Sequence, residues 1–266
     1  MSNSAPIGAF DSGVGGLTIL AEIRRLLPEE DLIYLADSAH CPYGTKPIAE
    51  IQQRSLEVTD FLISLGVKMV VVACNSASVA ALDQLRAKHP EIPIVGVEPA
   101  IKPAHDITRN GKIGVLATSL TLHGERFSGL VDKYATGVEI YTQPAPGLVE
   151  VVEAGKLAAP ETEFLLRQYL APLLEKQIDT LVLGCTHYPF LRPLIEKITG
   201  PAVTVVDTGQ AVAKHTAKLI AQENMAASRP GFGKNVFYTS GDPEEIGVVI
   251  GKLWGKERVK VLKASF

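Results

Sequence analysis

The sequence predicts an α/β fold of two pseudo-symmetric parallel-sheet domains with the active site in the cleft between them, and three observations carry that expectation. Short β-branched apolar runs alternate with helical stretches along the chain, the pattern of parallel sheets covered by helices. One local pattern occurs twice: residues 70–73 (VVVA) give way to Cys74-Asn75-Ser76, and residues 181–183 (LVL) pass through Gly184 to Cys185-Thr186-His187. The strand-like stretches 7–10 (IGAF) and 113–116 (IGVL) are offset by nearly the same distance as the two cysteines, so two related halves each present one thiol.

Taken in order, residues 7–10 read as a strand ending at Asp11-Ser12-Gly13-Val14-Gly15-Gly16. Leu17, Ile19, Leu20, Ile23 and Leu27 then form a helical stripe that Pro28 stops. Residues 32–36 are the next strand, and 37–46 (DSAHCPYGTK) form a polar loop at a strand end, where binding elements gather. Ile48, Ile51, Val58, Leu62 and Leu65 recur at helical spacing as far as Gly66. The Cys74 strand and a strand at 94–97 follow, and Glu98-Pro99 begins the crossing to the second half.

In that half, strand 112–117 meets Thr118-Ser119 before a helix through Phe127 and Leu130, and 138–142 is a strand. A PAPG turn leads to a short helix bearing Glu150 and Glu153, and residues 160–177 form a longer helix ahead of the Cys185 strand. Strand 203–206 ends at Asp207-Thr208-Gly209, and a helix over 210–224 returns the chain to the first half. A surface loop at 228–234, a strand at 236–239, a helix at 244–254 and a strand at 259–262 complete it. The first domain therefore comprises 1–97 plus 210–266, and the second 98–209.

Composition narrows the function. A chain of 266 residues that is 46% hydrophobic has ample material for a core. Lysine and arginine number 26 against 29 acidic residues, without a dense basic run, which argues against nucleic acid or an anionic membrane as partner. The amino-terminal stretch lacks a basic start, and no window approaches the roughly 18 apolar residues of a membrane span, so a cytoplasmic protein is expected. Three cysteines without a C-x-x-C pair fit a reduced compartment better than a disulfide framework.

In open parallel sheets ligands bind beyond the carboxyl ends of the strands. Asp11, Cys74, Thr118, Cys185 and Asp207 all stand there, so facing halves would enclose a cleft with a thiol on either wall. The unpaired N–H groups and aligned dipoles of a following helix would ease ionisation of each thiol. Asn75-Ser76 and Thr186-His187 read as caps whose N–H groups can also receive a carboxylate. A lone free cysteine is most often a small buried hydrophobe, and it is the recurrence that favours chemistry.

Asp11 opens a glycine-rich turn that invites a dinucleotide reading, but Thr18 stands where the third glycine belongs. A carboxylate that accepts a proton or pairs with an ammonium fits the cleft better. His187 in isolation is a capping or core histidine, and beside a thiol it is a proton relay. Cys74, Cys185 and His187 also suit a Cys2His zinc site with an open position, which would make the protein a zinc-dependent hydrolase. Cys41, beside His40 in the 37–46 loop, reads as incidental. Glu150 and Glu153 share a helix face, as two solvated carboxylates also would.

Asp11-Ser12-Gly13-Val14-Gly15-Gly16, Pro42-Tyr43-Gly44, Ala73-Cys74-Asn75-Ser76-Ala77-Ser78 and Gly184-Cys185-Thr186-His187-Tyr188-Pro189 together resemble the glutamate racemases of the cofactor-independent aspartate/glutamate racemase superfamily. The resemblance spans about residues 7–255. It implies two α/β domains around a central cleft and interconversion of L- and D-glutamate, supplying D-glutamate for peptidoglycan, with no cofactor and no metal. It allows a homodimer, and the nearest alternative within the superfamily is an aspartate racemase. By the resemblance Cys74 acts on D-glutamate and Cys185 on L-glutamate, with Asp11, His187 and Glu153 assisting. Ser12, Pro42, Tyr43, Gly44, Asn75, Ser76, Thr118, Thr186 and His187 join Asp11 in binding the substrate. Ser76 stands where threonine is common and keeps the hydroxyl, while Ala145 departs from a common Cys-Pro.

Overall fold

The computed structural model describes residues 4–227 and 231–266; part of the expected 228–234 loop, at 228–230, lies outside the described residues. Strand β1 (Ile7–Asp11) is buried along its whole length, as a strand inside a parallel sheet must be. It pairs with β2 (Leu32–Ala36) on one side and β3 (Met69–Val72) on the other, and β4 (Ile94–Val95) follows β3. Helices α1 (Leu17–Leu26), α2 (Ile48–Ser64) and α3 (Asn75–Lys88) connect these strands. After α4 (Ile101–Ile107) a second sheet begins. It contains β5 (Lys112–Ala117), β6 (Glu139–Pro144), β7 (Thr180–Gly184) and β8 (Thr204–Val206).

The helices of the second sheet are α5 (Ser119–His123), α6 (Glu125–Tyr134), α7 (Leu148–Glu153), α8 (Pro160–Glu175) and α9 (Arg192–Thr199). Helix α10 (Gly209–Gln222) packs along α1, and β9 (Asn235–Thr239), α11 (Pro243–Leu253) and β10 (Val261–Lys263) end the chain. The first sheet has the order β10-β9-β2-β1-β3-β4 and the second β6-β5-β7-β8. The segment β2-β1-β3-β4 thus has the same topology as β6-β5-β7-β8, which is the physical content of the repeat seen in the sequence. Every neighbouring pair is parallel.

Register places the chemistry. Asp11 pairs with Ala36 and Phe10 with Val72, so Asp11 and Cys74 leave the same edge of the first sheet. Ala117 pairs with Gly184, so Thr118 and Cys185 leave the same edge of the second. One cluster of buried apolar residues runs from Ile7, Leu17 and Tyr34 to Leu116, Leu148, Leu183 and Tyr188, joining the two sheets' layers.

Several boundaries differ from the sequence expectation. The 37–46 loop holds two 3-10 turns, Ser38–His40 and Tyr43–Thr45, and the helices α4 and α9 were not anticipated. The helix through Phe127 is broken into α5 and α6 at Gly124, where an added Cβ would meet Val79 Cγ1 at 2.5 Å. The last strand begins at Val261 rather than at residue 259.

Candidate active site

Cys74 is the N-cap of α3, and its Sγ accepts a hydrogen bond from Ala77 N–H at 3.5 Å. The β-branched run stops at a residue in extended conformation, and the helix formers after it begin α3 at once. Cys185 is different. Strand β7 leads through a turn to a 3-10 segment at Tyr188–Leu191, and the α-helix starts only at Arg192. Pro189 disfavours helical geometry at Tyr188, so the expected helix N-terminus directly behind Cys185 is absent.

What stands beside Cys185 instead is His187, whose Nδ1 is 3.8 Å from Sγ. The opposite ring nitrogen, Nε2, is 2.6 Å from Glu153 Oε1, which also accepts the Val14 N–H at 2.6 Å. His187 is buried, and burial alone would lower its pKa. The Cys185 and Cys41 thiols, the Glu153 carboxylate and the charge of Asp11 outweigh that and hold it well above the usual imidazole range. The direction of that shift favours the protonated ring, in which both nitrogens are donors.

Asp11 is fully buried. Its Oδ1 accepts from Ser12 Oγ at 2.9 Å and Gly13 N–H at 3.1 Å, and its Oδ2 accepts from Thr186 Oγ1 at 2.6 Å. Burial raises its pKa by more than the His187 charge and these hydrogen bonds lower it. Ser12 Oγ in turn lies 4.0 Å from Cys74 Sγ. Burial and the Asp11 charge push Cys74 far up, against the Ala77 and Ser12 N–H groups. This corrects the expectation that the helix terminus would ease ionisation there: with only its own residues around it, Cys74 is a neutral thiol.

A cavity of about 10 Å³ lies between the sheets, lined by Cys74 and Cys185 with Ser12, Pro42, Tyr43, Gly44, Asn75, Ser76, Thr118, Thr186, His187 and Val149. Asp11 and Glu153 stand behind this wall. Sequence reasoning missed Val149, which resembles any apolar residue of a short helix. The space holds about one water molecule, so the two halves must part to admit an amino acid. Hydrogen bonds that hold them together beside the cavity include Asp11 to Thr186, Val14 to Glu153, and Thr18 Oγ1 to Thr186 O at 3.0 Å.

Among the described residues Asn75 Nδ2 is buried without a hydrogen-bond partner, a donor available to a ligand. Ser76 Oγ and Thr118 Oγ1 meet at 3.2 Å across the cleft. Tyr43 and Gly44 line the cavity, and the Tyr43 OH donates to Asp37 Oδ2 at 2.6 Å.

The glycine-rich turn has a local explanation. A Cβ on Gly13 would sit 2.0 Å from Glu153 Oε1 and one on Gly15 2.2 Å from His187 Nδ1. Glycine is needed there for close approach of side chains from the other half rather than for phosphate. Glu150 is exposed and lines a neighbouring depression with Thr45 and Ser119, away from the thiols. Asp207 is ion-paired with Arg192 and caps Gly209 N–H at 2.9 Å, also outside the cavity.

Two expectations change. Cys41 is not a bystander in an open loop: its Sγ is 3.9 Å from Ser12 Oγ, and burial pushes its pKa up to about 12. The proposed Cys2His zinc set does not converge either. Among the described residues, the three metal-binding side chains that do come together are Cys41, Glu153 and His187.

Two like-wired parallel sheets that each send one cysteine into a shared cavity define a two-lobed α/β protein suited to proton chemistry on a small molecule. Residues 17–216 match the family described as Asp/Glu/Hydantoin racemase. A glutamate racemase of Ectopseudomonas mendocina is 48% identical over 255 residues, 96% of this chain and 97% of that protein. The crystal structure of a glutamate racemase isoform from Bacillus anthracis superposes with a TM-score of 0.90 at 32% identity, covering 99% of this chain and 98% of that one. A glutamate racemase from Francisella tularensis, solved in complex with D-glutamate, gives 0.85 at 31% identity and covers 98% of each chain. The chain belongs to the Asp/Glu/hydantoin racemase family.

Proposed function

We propose that the protein interconverts L- and D-glutamate by proton transfer between two thiols, without a cofactor. The observation that carries the reading is the single cavity walled by Cys74 from the first sheet and Cys185 from the second. Racemisation removes a proton from one face of Cα and delivers another to the opposite face, so a group from each lobe suits it.

Cys74 acts on D-glutamate and Cys185 on L-glutamate. Each gives its proton back in the reverse direction. The carbanion is stabilised through hydrogen bonds from Asn75, Ser76, Thr186 and His187 to the substrate carboxylate. Cys74 needs a nearby positive charge to ionise. The substrate's ammonium beside Asp11 supplies it, and Asp11 takes the thiol proton through Ser12. His187, oriented by Glu153, places a positive charge beside Cys185. Residues 1–97 with 210–266 move against 98–209 to admit and release substrate.

The family names and the D-glutamate complex of the Francisella relative support glutamate as substrate. Supply of D-glutamate to peptidoglycan, a cytoplasmic location and a homodimer belong to the same proposal, and no helix among the described residues is long and apolar enough to cross a membrane. The test is circular dichroism of L-glutamate incubated with metal-free protein. The signal should decay to zero. An unchanged signal with intact binding would make the protein a glutamate sensor, and faster loss of aspartate signal in competition would make it an aspartate racemase.

A further inference from the structure

Cys41 transfers no proton and touches no substrate in that mechanism, yet it completes a set of three metal-binding side chains. One ligand atom from each of Cys41, Glu153 and His187 lies within 4.8 Å of the other two. They come from three separate places: the turn between the two 3-10 segments, the end of α7, and the turn after β7. We propose that this trio is an inhibitory site for a borderline-soft divalent cation, Zn2+ foremost, held by the Cys41 sulfur, a His187 ring nitrogen and a Glu153 oxygen. The site rests on geometry alone, while its effect on turnover rests on the racemase reading.

Tetrahedral zinc, with bonds of about 2.0–2.3 Å, keeps its ligand atoms about 3.3–3.7 Å apart. His187 Nε2 and Glu153 Oε1, now at 2.6 Å, would part by about 1 Å, while the sulfur, within 4.8 Å of both partners, need close by no more than about 1 Å. Mixed sulfur, nitrogen and oxygen donors select zinc over magnesium or calcium, which take oxygen ligands. Ser12 Oγ, which accepts from the Cys41 thiol at 3.9 Å and donates to Asp11, lies beside the sulfur as its outer neighbour.

On binding, the Cys41 thiol proton and one imidazolium proton pass to water, three metal–ligand bonds form, and no oxidation state changes. A fourth position is left to water. His187 then holds the cation instead of its proton, and Glu153 leaves Val14. The cation thus replaces the mobile proton of the ring beside Cys185 with a fixed ion and removes one of the bonds that close the lobes.

Metal-free full-length protein is titrated with Co2+ and with Zn2+. One Co2+ per chain should bind, with a sulfur-to-cobalt charge-transfer band and the visible bands of tetrahedral cobalt. Zn2+ should displace it and stop racemisation, and a chelator should restore turnover. Cys41→Ser should keep its basal racemisation, lose the sulfur–cobalt band and need at least about tenfold more Zn2+ for half-inhibition. Cys41→Ala should do the same, and retained turnover in either variant certifies its fold. Cys74→Ser and Cys185→Ser, read by spectrum alone, should keep the band.

The proposal is overturned if the parent binds no Co2+, if Cys41→Ser is as zinc-sensitive as the parent, or if both Cys41 variants lose basal turnover. It is also overturned if the band survives in Cys41→Ser and vanishes in Cys185→Ser, which would put the metal on the facing thiols. A parent that binds Co2+ through Cys41 but fails to racemise glutamate would sink the functional reading and leave the site standing.

Discussion

Replacing Glu153 by Gln removes one negative charge and leaves an oxygen where Oε1 now accepts from both His187 and Val14, each at 2.6 Å. A hydrogen bond to a charged partner contributes about 1.5–3 kcal/mol and a neutral one about 0.5–1.5, so two downgraded bonds lose about 2–3 kcal/mol. At about 1.4 kcal/mol per decade, kcat/KM should fall roughly 30- to 150-fold. Because enantiomers have equal free energy in water, the ratio of kcat/KM in the two directions is fixed at unity for any variant. A defect on one side of the site must therefore be read another way. In D2O, weakened proton delivery at Cys185 lets a carbanion made from D-glutamate fall back to the D form after its thiol exchanges with solvent. Exchange should outrun inversion from D-glutamate and match it from L-glutamate, as measured by NMR of the α-proton alongside polarimetry. A kcat/KM within twofold of the parent, or an unchanged exchange-to-inversion ratio from D-glutamate, would refute the assignment of Glu153 as the residue that positions His187.

The remaining expectations concern the thiols, the glycine turn and the loop behind the site. Cys74→Ala and Cys185→Ala should each abolish racemisation while glutamate still binds by calorimetry; undiminished turnover in either variant removes that cysteine from the mechanism. Gly15→Ala puts a methyl group 2.2 Å from His187 Nδ1, so it should cost at least tenfold in turnover with far-UV dichroism unchanged, and near-normal turnover would show that the turn yields easily. Asp37 is buried, and although burial raises its pKa, hydrogen bonds from Arg54, Ser240 and Tyr43 outweigh this and hold it below the usual carboxylate range. Its contribution to stability is therefore present above the unfolded value of about 3.9 and lost as pH falls through the lowered folded value. Asp37→Asn should destabilise the protein by about 3 kcal/mol at pH 7, raise KM through the released Tyr43 loop, and show a flatter loss of melting temperature below pH 4. An acid limb identical to the parent's would contradict the ion pair's role.

How much of this was legible in the sequence follows from what topology alone determines. A parallel sheet sends every strand's carboxyl end to one edge, so finding the strands was enough to bring Asp11 near Cys74 and Thr118 near Cys185. The repeated Cys motif was visible for the same reason, since β2-β1-β3-β4 and β6-β5-β7-β8 are one wiring diagram used twice. Side-chain partners across the cleft were not visible. Nothing in the order of residues says that Glu153 reaches Val14, that Gly13 and Gly15 are small because Glu153 and His187 lean on them, or that Cys41 lies beside His187.

The two halves resemble each other in backbone while their thiols are served differently. Cys74 has an α-helix immediately behind it, but that helix does not prevail: Asp11 and burial keep the thiol protonated. Cys185 has no such helix, and the nearby positive charge comes from a side chain, His187, held by a carboxylate at the end of α7. A base working on either enantiomer needs positive potential only while it is charged. A mobile proton on an imidazole and the ammonium of an arriving substrate both meet that need better than a fixed dipole. The lobes' shared wiring therefore explains where the sulfurs are, and under the proposed mechanism the unlike residues around them are what would make each take and return a proton.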